Sequence, residues 1–335
     1  MKKQLGLFAA AAAMMMSMCG CGADQVAAAG AEQKSDAGQL KVVTTIFPEY
    51  DWVCNILGEQ AGNANVTMLL DNGVDLHSYQ PSAQDIVTIS SCDVFVYVGG
   101  ESDSWVKDTL AEANNADMVV IDLMDVLGDS VKEEEIIEGM EAEEEEEAEE
   151  GEEEEGPEYD EHVWLSLKNA TVLCNAIADG LGKADPENAD TYRANVEAYT
   201  AEISALDAEY QAVVDAAGNH TLLFADRFPF RYLVDDYSLD YYAAFVGCSA
   251  ETEASFETVM FLAGKTDELG LKNIMVIEGS DGKLADTVKN ATTSKDQQIL
   301  TLHSLQSVSL KQAQEGISYL SVMRDNLEVL KQALQ

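Results

Sequence analysis

Eight short runs of β-branched and other apolar residues alternate with segments of helical spacing, and this alternation limits the possible folds more than any other feature. Four runs precede residue 133 and four follow residue 161. The runs are Lys41–Phe47, Asn65–Leu70, Asp93–Gly100, Asp117–Leu123, Thr221–Ala225, Asp240–Val246, Asn273–Gly279 and Gln298–Ser304. Strands that alternate with helices form parallel sheets through right-handed crossovers. The pattern predicts an α/β fold with two lobes, each a four-stranded, mostly parallel sheet flanked by helices.

One long amphipathic segment separates the two groups of runs. Its apolar residues recur at steps of four and three from Tyr192 to Val213. Asp185 followed by Pro186 is typical of a helix start, and Gly218 supplies a stop. A helix of about thirty residues is roughly 45 Å long. We expect it to join the lobes as a rigid connector.

The N-terminus is typical of a bacterial lipoprotein signal. Two lysines precede an apolar stretch that is too short to span a bilayer, and the stretch ends with Gly20 just before Cys21. Cys21 is the expected lipidation site, which would hold the protein on the outer face of the membrane. The full predicted organisation is a signal peptide over 1–20, a flexible tether over 21–39, an N-terminal lobe over 40–183, the connecting helix over 184–218 and a C-terminal lobe over 219–335.

Charge excludes one class of partner. The chain has 62 acidic and 19 basic residues, a formal net charge of −43, so it lacks the basic surface that nucleic acids require. Residues 133–161 contain 19 of the acids and no Lys or Arg. A block of like charges repels itself and buries little, so 133–161 is predicted to be a disordered acidic loop. Its role is left open between a spacer and a loose collector of divalent cations.

Four further cysteines are widely separated and form no C-x-x-C pair, which argues against a zinc ribbon or a dense disulfide scaffold. They are Cys54, Cys92, Cys174 and Cys248. We interpret them as buried small hydrophobes, with one disulfide left possible outside the cell.

Three histidines and one aspartate follow predicted strands, where ligands bind in open parallel sheets. His77 and His162 belong to the first half of the chain, and Asp226 and His303 belong to the second. His220 lies at the opposite end of its strand. Three imidazoles and one carboxylate make a four-coordinate site that suits Zn²⁺.

Several segments resemble one family, the solute-binding lipoproteins of bacterial zinc and manganese ABC transporters. They are "VVTTIFPEYDWVCNILG", "LLDNGVDLHSYQPSAQDI" and "DEHVWLSLKNA". The resemblance covers nearly the whole mature chain. It implies two α/β lobes joined by a rigid helix, with a metal ion held in the cleft between them. It also implies His77 and His162 as ligands.

The second half departs from the family pattern. Where zinc-binding members have "H-x-A-F-x-Y", this chain reads "ADRFPFRYLVDDY". Arg227 cannot ligate a cation, so Asp226 is the favoured ligand there. The segment "LHS" matches a later ligand position and implies His303, with Glu278 as a rival oxygen ligand. A third histidine favours Zn²⁺ over Mn²⁺.

These features predict an extracytoplasmic protein, expected to be monomeric, that captures Zn²⁺ and delivers it to a membrane permease of the ABC type. A Mn²⁺-binding protein of the same transporter type is the first alternative. A surface adhesin and a zinc-dependent hydrolase are alternatives from other classes. For the hydrolase, Glu278 would have to act as the general base. No motif that pairs a nucleophile with a base is present, so we expect no enzymatic activity.

Overall fold

The structure, a computed structural model, describes residues 38–141, 158–249 and 253–335. The predicted signal peptide, Cys21 and nearly all of the predicted tether therefore lie outside the described residues. Within that part of the chain, residues Gln39–Gln335 form one compact unit. No helix of the described residues combines the length and the apolar character that crossing a membrane requires.

Two four-stranded parallel sheets, one from each half of the chain, confirm the predicted fold class. The strands are β1 (Leu40–Thr44), β2 (Ala64–Met68), β3 (Val94–Tyr97), β4 (Val119–Asp122), β5 (Thr221–Phe228), β6 (Asp240–Val246), β7 (Asn273–Ile277) and β8 (Gln298–Leu302). The first sheet has the order β2-β1-β3-β4 and the second has β6-β5-β7-β8. Each half therefore repeats one topology, and the carboxyl ends of its four strands share one edge.

The strands are connected and covered by helices. These are α1 (Phe47–Leu57), α2 (Ala83–Ser90), α3 (Val106–Ala111), α4 (Leu123–Leu127), α5 (Leu167–Ala184), α6 (Ala189–Ala216), α7 (Arg231–Tyr237), α8 (Phe256–Leu269), α9 (Lys283–Ala291), α10 (Leu310–Gln314) and α11 (Tyr319–Ala333). Serine side chains cap several of them. At the start of α2, Ser82 accepts a hydrogen bond from the Asp85 N–H, and the Asp85 carboxylate accepts one from the Ser82 N–H, which forms a capping box.

Helix α6 is the long connector between the lobes. Six residues of the predicted apolar stripe, from Tyr192 to Tyr210, are buried, and Val214 rather than Val213 completes it. The helix begins at Ala189 with Asn188 as its N-cap, three residues after the predicted cap Asp185. Asp185 instead accepts hydrogen bonds from the Asn188 side chain (2.7 Å) and the Tyr192 hydroxyl (2.6 Å). This carboxylate therefore fixes the turn from α5 into α6.

One hydrophobic core extends through both lobes and α6, so the connector is packed along its length. Trp52 of α1 meets Tyr319 of α11 edge to face, with ring centroids 5.2 Å apart. Beside them, the buried Asp51 carboxylate accepts hydrogen bonds from the Tyr199 hydroxyl (3.1 Å) and the Tyr319 N–H (3.2 Å). Burial raises the pKa of Asp51 to about 6. The N-terminal lobe, α6 and the C-terminal lobe therefore meet at one buried polar point.

The flanks of the acidic block are structured, which differs from the prediction of a disordered loop over the whole of 133–161. Residues 133–141 lie against the C-terminal lobe, where the Glu141 N–H donates to the Ala244 carbonyl of β6 (2.9 Å). Residues 158–161 lead directly into His162 and are hydrogen-bonded to the other flank. The sequence did not predict these ordered flanks, because the density of acidic residues in a segment does not show which backbone groups elsewhere in the chain will hydrogen-bond to it. The predicted loop residues 142–157 lie outside the described residues.

Cys54, Cys92, Cys174 and Cys248 are all free thiols. Cys92 and Cys174 are buried, as predicted for small hydrophobes, whereas Cys54 and Cys248 are half-buried. The disulfide that the sequence left possible is absent from the described residues.

Candidate metal centre

His77 lies in a tight turn after β2 and is held on its Nδ1 side. Asp75 caps this turn by accepting the His77 backbone N–H (3.1 Å). The imidazole Nδ1 lies 2.8 Å from the Ser102 hydroxyl and 3.4 Å from a carboxylate oxygen of Glu161. The Ser102 N–H donates to the other oxygen of Glu161 (2.8 Å). Because Gly100 has φ +78° and a Cβ there would clash with this carboxylate, glycine is required for the approach.

His162 is completely buried and is held by one neighbouring carboxylate. A single oxygen of Asp160 lies 2.8 Å from the His162 backbone N–H and 3.0 Å from its Nδ1. The ring also packs 5.3 Å from the ring of Trp164. Asp160 therefore fixes both the backbone and the ring orientation of His162.

The two imidazoles face each other through Nε2, with 3.2 Å between the nitrogens. Carboxylates can only accept hydrogen bonds, so Asp160 favours the tautomer of His162 in which Nδ1 carries the hydrogen and Nε2 the lone pair. The Glu161 oxygen 3.4 Å from Nδ1 of His77 favours the same tautomer there, with the Ser102 hydroxyl free to donate or accept. Two such lone pairs repel each other unless a cation lies between them. Zn–N bonds of 2.0–2.1 Å in a tetrahedral site place neighbouring nitrogens about 3.3 Å apart. The pair of histidines therefore fits a metal ion in both electronics and spacing.

The negative charges around His77 stabilise a positive charge on its ring in the metal-free protein. Burial lowers the pKa of His77, but the hydrogen bond with Glu161 and the charges of Asp75 and Glu161 outweigh it, so the pKa is raised. The same contact lowers the pKa of Glu161. A proton on His77 can therefore occupy the space between the two Nε2 atoms in the metal-free protein.

Cys248 is the third donor near this pair, and the sequence analysis missed it. Within the described residues, its Sγ and one ring nitrogen of each of His77 and His162 all lie within 4.8 Å of one another. Cys248 follows the end of β6, and this position is the one sequence signal that it shares with the histidines. Burial and the nearby carboxylates raise the pKa of the thiol, so the metal-free site holds a neutral Cys248.

Arg227 connects two of the loops that carry these donors. One guanidinium nitrogen lies 2.9 Å from Asp75, two residues before His77, and the other donates to the Ser249 carbonyl (3.3 Å), one residue after Cys248. In the structure Arg227 holds Asp75, a carboxylate of the opposite lobe.

Asp226 and Glu278 lie at the ends of neighbouring strands of the second sheet. The predicted strand ended before Asp226, but β5 continues to Phe228 with a register shift against β6 between Phe224 and Arg227. Asp226 accepts the backbone N–H groups of Arg227 (2.9 Å) and Ile277 (3.3 Å). Glu278 accepts the backbone N–H and the hydroxyl of Ser304 (2.7 and 2.6 Å). Neither carboxylate belongs to the His77–His162–Cys248 group.

His303 follows β8 as predicted and is also outside that group. Its Nδ1 accepts the Leu305 N–H (2.9 Å) and lies 3.4 Å from Glu278. An Nδ1 that accepts a hydrogen bond leaves the hydrogen on Nε2, the opposite tautomer from that favoured at His77 and His162. His220 is exposed at the other end of β5, where the sequence placed it.

A cavity of about 950 Å³ lies between the lobes next to this region. Asp75 and Ser78 line it from the N-terminal lobe, and Asp226, Arg227 and Glu278 line it from the C-terminal lobe. The turn that carries His77 therefore borders a solvent-accessible space with acidic walls.

The family described as "Zinc-uptake complex component A periplasmic" matches residues 42–333. The chain belongs to this family. Its members are metal-binding components of transport systems and not enzymes, which removes the support for the hydrolase alternative.

Curated relatives agree with this family. The chain is similar to the high-affinity zinc uptake system protein ZnuA of Bacillus subtilis, at 30% identity over 333 residues that cover 99% of this chain and 98% of the relative. It is also 30% identical over 301 residues to the zinc-binding lipoprotein AdcA of Streptococcus pneumoniae, with 90% of this chain and 57% of AdcA covered. The chain thus spans little more than half the length of AdcA.

Solved structures share the fold. The Zn(II)-bound ZnuA-like domain of Streptococcus pneumoniae AdcA aligns with a TM-score of 0.68 and 27% identity, covering 89% of this chain and 99% of that domain. The metal-dependent lipoprotein YcdH of Bacillus subtilis aligns with a TM-score of 0.70 and 25% identity, covering 88% and 99%. The two-lobed architecture with a long connecting helix is therefore the family fold.

Proposed function

We propose that this protein captures Zn²⁺ outside the cytoplasmic membrane and delivers it to a membrane permease of the ABC type. The observation that carries the proposal is the pair of Nε2 atoms of His77 and His162, 3.2 Å apart and each oriented by carboxylates. Histidine ligands in metal sites typically donate their second ring hydrogen to such a carboxylate. The zinc-related names of the similar proteins give independent support.

His77 and His162 supply the donors of the N-terminal lobe in this proposal. Asp226 and His303 stay the predicted donors of the C-terminal lobe, with Glu278 as the rival. An ion bound first by the two histidines would draw the second lobe onto it across the acidic cavity. The shared core and the packed helix α6 would keep that movement small.

The anchoring part of the proposal rests on the sequence alone. Acylation at Cys21 would hold the protein on the outer face of the membrane, beside its permease, as a monomer. The surrounding excess of acidic residues would raise the local concentration of divalent cations.

A competition titration tests the proposed function. Residues 23–335, which lack the lipidation site, should bind one tight Zn²⁺ per chain, measured against a chromogenic chelator and by elemental analysis. Mn²⁺ should compete at least about 100-fold less well, because imidazole donors favour zinc. A preference for Mn²⁺ would support the alternative cargo, and absence of any saturable tight site would refute metal capture.

As the pH is lowered, the affinity for Zn²⁺ should begin to weaken at a higher pH than it would if His77 had the pKa of a free imidazole. Zn²⁺ binds the neutral ring, and the raised pKa of His77 means that protons compete from above pH 6.5 as the pH falls. Glu161→Gln removes the main cause of the raised pKa, so its affinity–pH profile should shift to lower pH. Titrations at a series of pH values measure this shift. An unchanged profile in the variant would contradict the assigned role of Glu161.

A further inference from the structure

We propose that the Cys248 thiolate is the third ligand of the captured metal, which makes the site a mixed nitrogen and sulfur centre. This inference rests on the proposed function, because it names a donor of the same site. In the sequence, neither the positions of the histidines nor the segments that resemble the family indicate Cys248 as a ligand.

The geometry brings Cys248 close to both histidines. Its Sγ and a ring nitrogen from each of His77 and His162 lie within 4.8 Å of one another. A tetrahedral site with Zn–N bonds near 2.0 Å and Zn–S bonds near 2.3 Å has nitrogen–sulfur edges of about 3.6 Å. The ion would therefore draw the sulfur inward by about 1.2 Å at most. The thiol proton passes to water as the metal–sulfur bond forms.

The backbone before Cys248 is shaped for this approach. A Cβ on Gly247 would lie 2.9 Å from Cε1 of His162 and 3.0 Å from the Phe228 carbonyl oxygen. Any larger residue would push the loop away from the buried ring, so glycine places the next side chain beside His162.

Contacts on both sides hold the same loop in place. The Cys248 N–H donates to the Glu134 side chain (3.2 Å), which belongs to the docked flank of the acidic block. Arg227 donates to the Ser249 carbonyl while pairing with Asp75 beside His77. Arg227 therefore fixes the spacing between the two loops. In zinc-binding members of the family a histidine supplies a nitrogen donor at the position where this chain has Arg227. Arg227 cannot bind a cation, and Cys248 supplies the third donor instead.

A thiolate donor changes which metals the site prefers. Sulfur is a soft ligand that strengthens binding of Zn²⁺ and Cd²⁺, whereas Mn²⁺ prefers oxygen. Cys248 would thus be a specificity-determining residue. In a four-coordinate site it would take one of the two places predicted for Asp226 and His303, and one position would remain for Asp226, His303, Glu278 or water.

Co²⁺ serves as the spectroscopic probe for this ligand. Residues 23–335 loaded with one Co²⁺ should show a thiolate-to-cobalt charge-transfer band in the near ultraviolet together with the intense visible bands of a tetrahedral centre. Cys248→Ser should lose the charge-transfer band and bind Zn²⁺ at least about tenfold more weakly. Its Mn²⁺ affinity should change by less than about threefold. Cys248→His should lose the charge-transfer band but keep the visible bands.

Cys54→Ser is the matched control, because this half-buried thiol lies outside the donor group; the charge-transfer band should persist in it. Binding of one Co²⁺ by the parent protein without a charge-transfer band would overturn the Cys248 ligand and leave the proposed function standing. Failure of the parent protein to bind either Co²⁺ or Zn²⁺ would overturn the proposed function itself. A band that survives in Cys248→Ser would also refute the assignment.

Discussion

Replacing His77 with glutamine lowers the affinity for Zn²⁺ by more than about 100-fold, since even partners that only orient a ligand contribute 10–100-fold. Glutamine keeps the size and polarity of the side chain but offers no imidazole lone pair to face Nε2 of His162. The turn capped by Asp75 should remain, so the fold is preserved. Chelator competition at neutral pH measures the loss.

His220→Ala is the control, because His220 is exposed at the opposite end of β5 from the donor loops. Its Zn²⁺ affinity should equal that of the parent protein. If His77→Gln and His220→Ala lose the same amount of Zn²⁺ affinity, the position of a histidine after the carboxyl end of a strand does not decide whether it binds the metal. Asp226→Asn, Glu278→Gln and His303→Ala, measured in the same way, rank the predicted donors of the C-terminal lobe.

Trp164→Ala destabilises the metal-free protein by about 3–5 kcal/mol, the cost of removing a large buried aromatic side chain. Trp164 is completely buried, and its indole N–H donates to the Ser304 carbonyl of the C-terminal lobe (2.8 Å). Its own carbonyl accepts the Tyr319 hydroxyl (2.8 Å). The indole therefore joins the lobes two residues from His162. Urea unfolding of residues 23–335 without metal measures the change in free energy.

Two further variants separate the contributions. Trp164→Phe keeps much of the ring but leaves the Ser304 carbonyl unpaired, so it should cost about 1–3 kcal/mol. Val172→Ala on α5, at a site that is 49% exposed, should change the free energy of unfolding by less than about 0.5 kcal/mol. A loss at Trp164 no larger than that at Val172 would contradict its role as a joint between the lobes.

The fold could be predicted from the sequence because strands and helices each require a characteristic spacing of apolar residues over a short segment. Eight apolar runs became eight parallel strands, and the stripe from Tyr192 became the buried face of α6. The predicted N-cap of α6 was wrong by three residues, because the Asp185 carboxylate accepts hydrogen bonds from Asn188 and Tyr192 and Asn188 takes the N-cap position.

The site could be predicted only in part from the sequence. His77 and His162 follow strand ends and meet through Nε2, as the strand-end rule expects. Cys248 follows a strand end too, but a single cysteine has no sequence signature that separates a ligand from a packed thiol. The contacts of Asp160 and Glu161 with the rings depend on three-dimensional placement. The run of acidic residues gave no indication that Asp160 and Glu161 are the two whose carboxylates orient the histidines.

Anomalous scattering at the zinc absorption edge, from crystals of residues 23–335 grown with Zn²⁺, tests the central claim most directly. We expect one strong peak about 2.0–2.1 Å from Nε2 of both His77 and His162. A strong peak that contacts neither histidine, or zinc found only along the acidic run at 142–157, would contradict it.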